Sequence, residues 1–138
     1  EKFFAYLEDV DIGYRAKLLG YRNVYEPKAV AYHVGSASSG AKHNEFKVRI
    51  SARNNIYLIY KNMPWGQILL NLPCFIVGFG TKAMFFTKKK LWRVYLCGIR
   101  EGFLICRNSG KLKFSDRKWL DYAKIQLELW INVGRIRW

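Results

Sequence analysis

From Tyr6 to Leu19 the apolar residues Val10, Ile12, Ala16 and Leu19 are interleaved with charges in a partly helical pattern. Asp11 stands one turn before Arg15, where the two can pair. Glu8, Asp9 and Asp11 fall in the first turn of this predicted helix, where carboxylates suit the positive end of the dipole. Gly20 falls where a left-handed residue would stop it. Two short extended runs follow. Asn23-Val24-Tyr25-Glu26 halts at Pro27, and Ala29 to Val34 is a small-and-branched run of strand length with His33 near its far end. Gly35-Ser36-Ala37-Ser38-Ser39-Gly40 is then a loop rich in hydroxyls and backbone donors, without the Gly-Lys-Ser/Thr ending of a P-loop. It suits contact with a diphosphate, and it equally suits a plain connection between a strand and a helix.

Asn44 is placed to cap a helix running to about Asn62, with Phe46, Ile50, Tyr57 and Tyr60 near helical spacing and Arg53-Asn54 on another face. Pro64 ends it. Trp65 to Phe86 is apolar apart from Gln67, Asn71, Thr81 and Lys82, but Pro73, Gly78 and Gly80 interrupt it. Its cleanest run, Leu72 to Gly80, is shorter than the roughly 20 residues that span a bilayer. Trp65, Lys88-Lys89-Lys90 and Trp92 flank it as interfacial anchors would, so the expectation is a segment lying in a membrane surface; a core helix beneath another domain would share the pattern. Leu91 to Ile105 continues in apolar and basic style, and Ser115 is placed to cap a last helix in which Leu120, Ala123, Leu127, Trp130 and Ile131 share a face.

Charge sharpens the division of the chain. Of the 138 residues, 1–60 carry 9 basic and 6 acidic groups, or +3, whereas 61–138 carry 15 and 4, or +11. A basic region rich in Trp, Tyr and Phe suits anionic lipid headgroups or nucleic acid, since both present phosphate beside an amphipathic or stacking surface. The apolar runs of this half are longer than a nucleic-acid groove uses, which favours lipid. Cys74, Cys97 and Cys106 are odd in number and show no C-x-x-C spacing, so neither a zinc ribbon nor a closed disulfide framework is indicated; buried, reduced thiols are expected.

One set of residues is more specific than any of these patterns. Phe3-Phe4-Ala5-Tyr6, Glu8-Asp9-Val10-Asp11, Arg15, Gly20-Tyr21-Arg22, Tyr25-Glu26-Pro27, Ala29-Val30, His33 and Ser51-Ala52-Arg53-Asn54, in this order, resemble the C-terminal part of a family 2 glycosyltransferase of the rhamnosyltransferase and galactofuranosyltransferase kind. The resemblance covers about residues 1–62, and it implies an α/β architecture: the C-terminal portion of a GT-A, Rossmann-like catalytic domain, followed over 63–138 by amphipathic, membrane-associating helices. The chain opens in what resembles the middle of that domain, so the nucleotide-binding half with its metal-gripping Asp-x-Asp is expected to lie outside it.

The same resemblance implies the chemistry. Inverting transfer from a nucleotide-sugar donor needs a base to take the proton of the acceptor hydroxyl, and carboxylates are ionised at neutral pH. Asp9 matches the family's base, with Glu8 orienting it or the acceptor, while Asp11 and Arg15 stabilise the helix. His33 matches a histidine that completes the shell of a divalent metal, Mg or Mn, which neutralises the departing diphosphate. Ser36 and Tyr32 would line the acceptor and diphosphate cleft, and Arg53 would reach a phosphate or pin its helix to the serine-rich loop. The expected partners are a nucleotide sugar, a lipid-linked or polysaccharide acceptor and an anionic membrane surface, at the cytoplasmic face of the membrane and without nucleic acid. A basic aromatic nucleic-acid-binding module and a non-catalytic membrane-association domain stand as alternatives.

Overall fold

The computed structural model describes residues 3, 5–30, 32, 43–113, 115 and 118–135. Among these are six helices: α1 (Glu8–Leu18), α2 (Glu45–Asn62), α3 (Trp65–Leu70), α4 (Leu72–Lys88), α5 (Trp92–Arg107) and α6 (Trp119–Arg135). No strand occurs among the described residues, which corrects the α/β, GT-A (Rossmann-like) expectation. The reason lies in residues 21–30. A branched, aromatic run becomes a strand only when a neighbouring backbone takes its hydrogen bonds. Here the run is exposed throughout, Val24 and Tyr25 are bare to solvent, and the Ala29 amide turns back onto the Glu26 carbonyl at 3.1 Å. Local propensity was present without a partner.

Several helix boundaries follow their sequence signals closely. The Asn44 side chain accepts a 2.8 Å hydrogen bond from the Lys47 amide and caps α2. At the end of α1, Gly20 takes φ +85°, the Gly20 amide donates to the Lys17 carbonyl and the Tyr21 amide to that of Ala16, both at 3.0 Å. This pair of bonds is a Schellman motif, and it satisfies carbonyls that a helix end leaves open. The apolar segment 65–86 is broken at Asn71, with Pro73 in the first turn of α4, and among the described residues no helix is long and apolar enough to cross a membrane. Ser115 departs from its expected role: α6 starts four residues later, at Trp119, and the Ser115 carbonyl accepts from the Lys118 amide.

The helices assemble around α2. Its Val48 and Ala52 meet Tyr95 of α5 and, from α4, Phe79, Ala83 and Phe86 in one cluster. A second cluster joins Tyr14 and Leu18 of α1 to Tyr122, Ile125 and Leu129 of α6. Burial pushes the Tyr95 phenol up to about 12, and its hydroxyl donates to the Phe79 carbonyl at 3.2 Å. Among the described helices, α2 and α5 make the most extensive contact. Gly98 and Gly102, one turn apart on α5, lie against the backbone of α2: a Cβ at Gly98 would collide with the Arg49 carbonyl oxygen, and one at Gly102 would sit 2.8 Å from that of Arg53 and 2.7 Å from Ile56 Cβ. An ion pair between Arg49 and Glu101 closes the same seam from outside.

Two cysteines depart from expectation, since Cys74 and Cys97 are exposed and only Cys106 is buried; all three are free thiols.

Because helix backbones cannot yield at a carbonyl contact, Gly102→Ala is expected to destabilise the fold by about 2 kcal/mol through overpacking. Gly66→Ala, where a Cβ meets open space, should have no such cost. Urea unfolding followed by helical circular dichroism compares them.

Candidate active site

The acid cluster of α1 is divided between two tasks by burial. Asp11 is sealed between α1 and α2, and every bond it makes binds one helix to the other or to itself. Its Oδ2 accepts from Arg15 Nε at 3.0 Å and lies 2.9 Å from Lys61 Nζ, while its Oδ1 accepts from Asn62 Nδ2 at 2.8 Å. Burial pushes the Asp11 carboxyl up, but the hydrogen bonds from Asn62 and Lys61 and the charges of Lys61 and Arg15 outweigh it and hold the group below its ordinary value. The expected pairing of Asp11 with Arg15 is thus present, and Lys61 and Asn62 extend it to the end of α2.

Glu8 and Asp9, in the same first turn, face solvent. Among the described residues no cation pairs with either, and Asp9 Oδ1 accepts only from the adjacent Val10 amide at 2.8 Å. What fixes them is the backbone that precedes them. Tyr6 and Leu7 both take φ 68°, a left-handed conformation that costs residues with side chains of order 1–3 kcal/mol each. Asn54, wholly buried on α2, holds this turn: its Nδ2 donates to the Ala5 carbonyl at 2.6 Å and to that of Tyr6 at 3.0 Å. Arg53 Nε donates in turn to Asn54 Oδ1 at 3.0 Å. Two exposed carboxylates therefore project from a strained turn that a buried amide clamps.

Asn54 is the residue whose role the sequence did not assign. The only signal was a polar amide set between positions that pack inward, within the Ser51–Asn54 set. Arg53, expected to reach a phosphate or to pin its helix, orients the clamp through its Nε. Tyr32 is 97% exposed, in contact with no cleft of the described residues. His33 and Ser36, the expected metal ligand and loop hydroxyl, lie outside the described residues, as does the whole loop 35–40. His43 is exposed with its ring edge against Phe85, centroids 5.4 Å apart.

Asp9 and Asp11 have the spacing of a two-carboxylate metal grip, but both oxygens of Asp11 are engaged by Arg15, Lys61 and Asn62. Among the described residues no group of three His, Cys, Asp or Glu side chains converges.

Removing the Asp11 carboxylate leaves Lys61 and Asn62 facing a void, so Asp11→Ala is expected to cost about 3 kcal/mol in urea unfolding. Since the folded carboxyl is held low, its contribution is complete above the unfolded value near about 4 and is lost as pH falls through the folded value. The melting temperature of the native sequence should therefore fall more steeply with acid below about pH 4 than that of Asp11→Asn.

Comparison of the chain with protein-family models, with curated proteins and with solved structures gives no match in any of the three.

Proposed function

We propose that Glu8 and Asp9 form the acceptor-activating corner of an inverting glycosyltransferase, which moves a sugar from a nucleotide donor to a hydroxyl of a lipid-linked or polysaccharide acceptor at the cytoplasmic face of a membrane. The observation that carries this reading is the unequal use of the three acids of α1: Asp11 is consumed by structure, whereas Asp9 is exposed, unpaired by any described cation and held on a clamped turn. A carboxylate kept free of counter-ions on a rigid mount is available to take a proton, and strain at a turn is commonly kept where geometry matters. The ordered sequence resemblance to family 2 glycosyltransferases supports the same residue for the same task.

In this reaction the acceptor oxygen forms its bond to the anomeric carbon as the bond from that carbon to the diphosphate oxygen breaks. The leaving nucleoside diphosphate keeps the bonding pair, and the acceptor proton passes to Asp9. Glu8, beside it in the first turn, orients the acceptor hydroxyl by accepting from a neighbouring one. Arg53 and Asn54 act as positioning residues through the turn at Tyr6 and Leu7.

The test is made in the native enzyme that carries this chain, with a panel of nucleotide sugars. Asp9→Asn keeps the shape and removes the base, so kcat is expected to fall by about 10²–10⁴ with KM little changed. Turnover within a factor of about two of the native enzyme would reject Asp9 as base.

A further inference from the structure

An open apolar groove of about 720 Å³ lies between α3 and α6, lined by hydrocarbon with few polar atoms. Trp65 stands on one rim and Trp119 and Trp130 on the other, 62%, 59% and 46% exposed. Leu70 and Leu127 line it between them. The helical spacing explains why it is open. On α6 the core is made by Tyr122, Ile125, Gln126 and Leu129, yet the neighbouring arc of Trp119, Leu120, Leu127, Trp130 and Ile131 is also apolar and remains exposed. A helix that only needs to dock on its own domain uses one apolar stripe and a polar remainder; α6 carries a second.

The groove is braced. Asn71 and Gln126 exchange two amide hydrogen bonds, 2.7 and 2.9 Å, in a buried reciprocal pair that ties the α3–α4 break to α6. The Lys111 ammonium stands 4.6 Å from the centre of the Trp65 ring and donates to the carbonyls of Tyr60 and Met63, so the rim tryptophan is stacked in place. Among the described residues lining the groove, one buried amide nitrogen lacks a protein partner. Gln67, more than nine-tenths buried and lining the groove, accepts from the Tyr14 hydroxyl at 2.6 Å, but its Nε2 has no acceptor. A buried amide donor without a protein partner is costly, and this one sits beneath the groove floor with almost no accessible surface.

The charge selects the occupant. Residues 61–138 carry 15 basic against 4 acidic groups, and of those acids Glu101, Asp121 and Glu128 are already paired, with Arg49, Lys124 and Lys17. A second copy of the chain would bring +14 against +14. We propose that this face docks on an anionic phospholipid bilayer, with the three tryptophans at the depth of the headgroups and Leu70 and Leu127 against acyl chain. The net charge of +11 over the same half favours anionic headgroups. The proposal is independent of the role given to Asp9, since it is read by binding and not by turnover.

The intact chain is titrated with vesicles of phosphatidylcholine alone and of phosphatidylcholine with roughly one-third phosphatidylglycerol, by co-sedimentation and tryptophan emission, with circular dichroism verifying the helices of each variant. Binding at least about 10-fold tighter to the anionic vesicles is expected, with a blue shift of emission and weakening as salt is raised. Leu127→Glu, at a position already 57% exposed, should cut that binding by about 10-fold or more. Phe103→Glu, equally exposed on α5, should leave it unchanged. Any of three results overturns the proposal: no vesicle binding, equal losses in both variants, or a dimer in sedimentation velocity that Leu127→Glu dissolves. Tighter binding to DNA than to anionic vesicles at matched salt does so too.

Discussion

A single carboxylate, that of Asp11, decides how the first helix sits on the rest of the molecule. Buried ions are costly, and this one is tolerated because Arg15, Lys61 and Asn62 supply both charge and hydrogen bonds in the same small volume. Because two of those partners close the last turn of α2, the direction of α1 is tied to a helix that starts some 30 residues away in sequence. The orientation of the exposed acids in the same turn is then a consequence of a contact they do not make.

The second support is steric. Helix α2 serves as a common wall, with α5 drawn against it at Gly98 and Gly102, so closely that carbonyl oxygens of α2 occupy the space of absent side chains. Close approach of this kind gives dense contact with little loss of side-chain entropy, which suits a chain whose apolar clusters are small and whose α4 buries no residue fully. The same economy leaves much apolar surface of α3, α4 and α6 in solvent.

Where the sequence signal was local, it could be read. The Asn44 cap, the Gly20 stop, the Asp11–Arg15 spacing and the break of the apolar segment near Asn71 and Pro73 each depend on residues a turn or so apart, and the structure places them accordingly. The extended run at 23–26 formed no strand for the opposite reason, since pairing is a property of two segments and the run has no partner among the described residues. The clamp of Asn54 on residues 48 and 49 positions earlier was likewise beyond any local pattern. The face of α6 grouped from its apolar spacing proved real, but it is the exposed one; the buried face, with Tyr122 and Gln126, looks less apolar in sequence because its polar atoms are bonded internally.

The left-handed turn at Tyr6 and Leu7 has a consequence for what the exposed acids depend on. Two unfavourable backbone conformations in succession cannot persist in an isolated segment, so the start of α1 relies on Asn54 of α2. Helix α2 in turn gains its partner α5 through contacts that need no such strain. The acids of α1 therefore take their geometry from α2, and whatever loosens Asn54 on that helix also frees the turn that carries them.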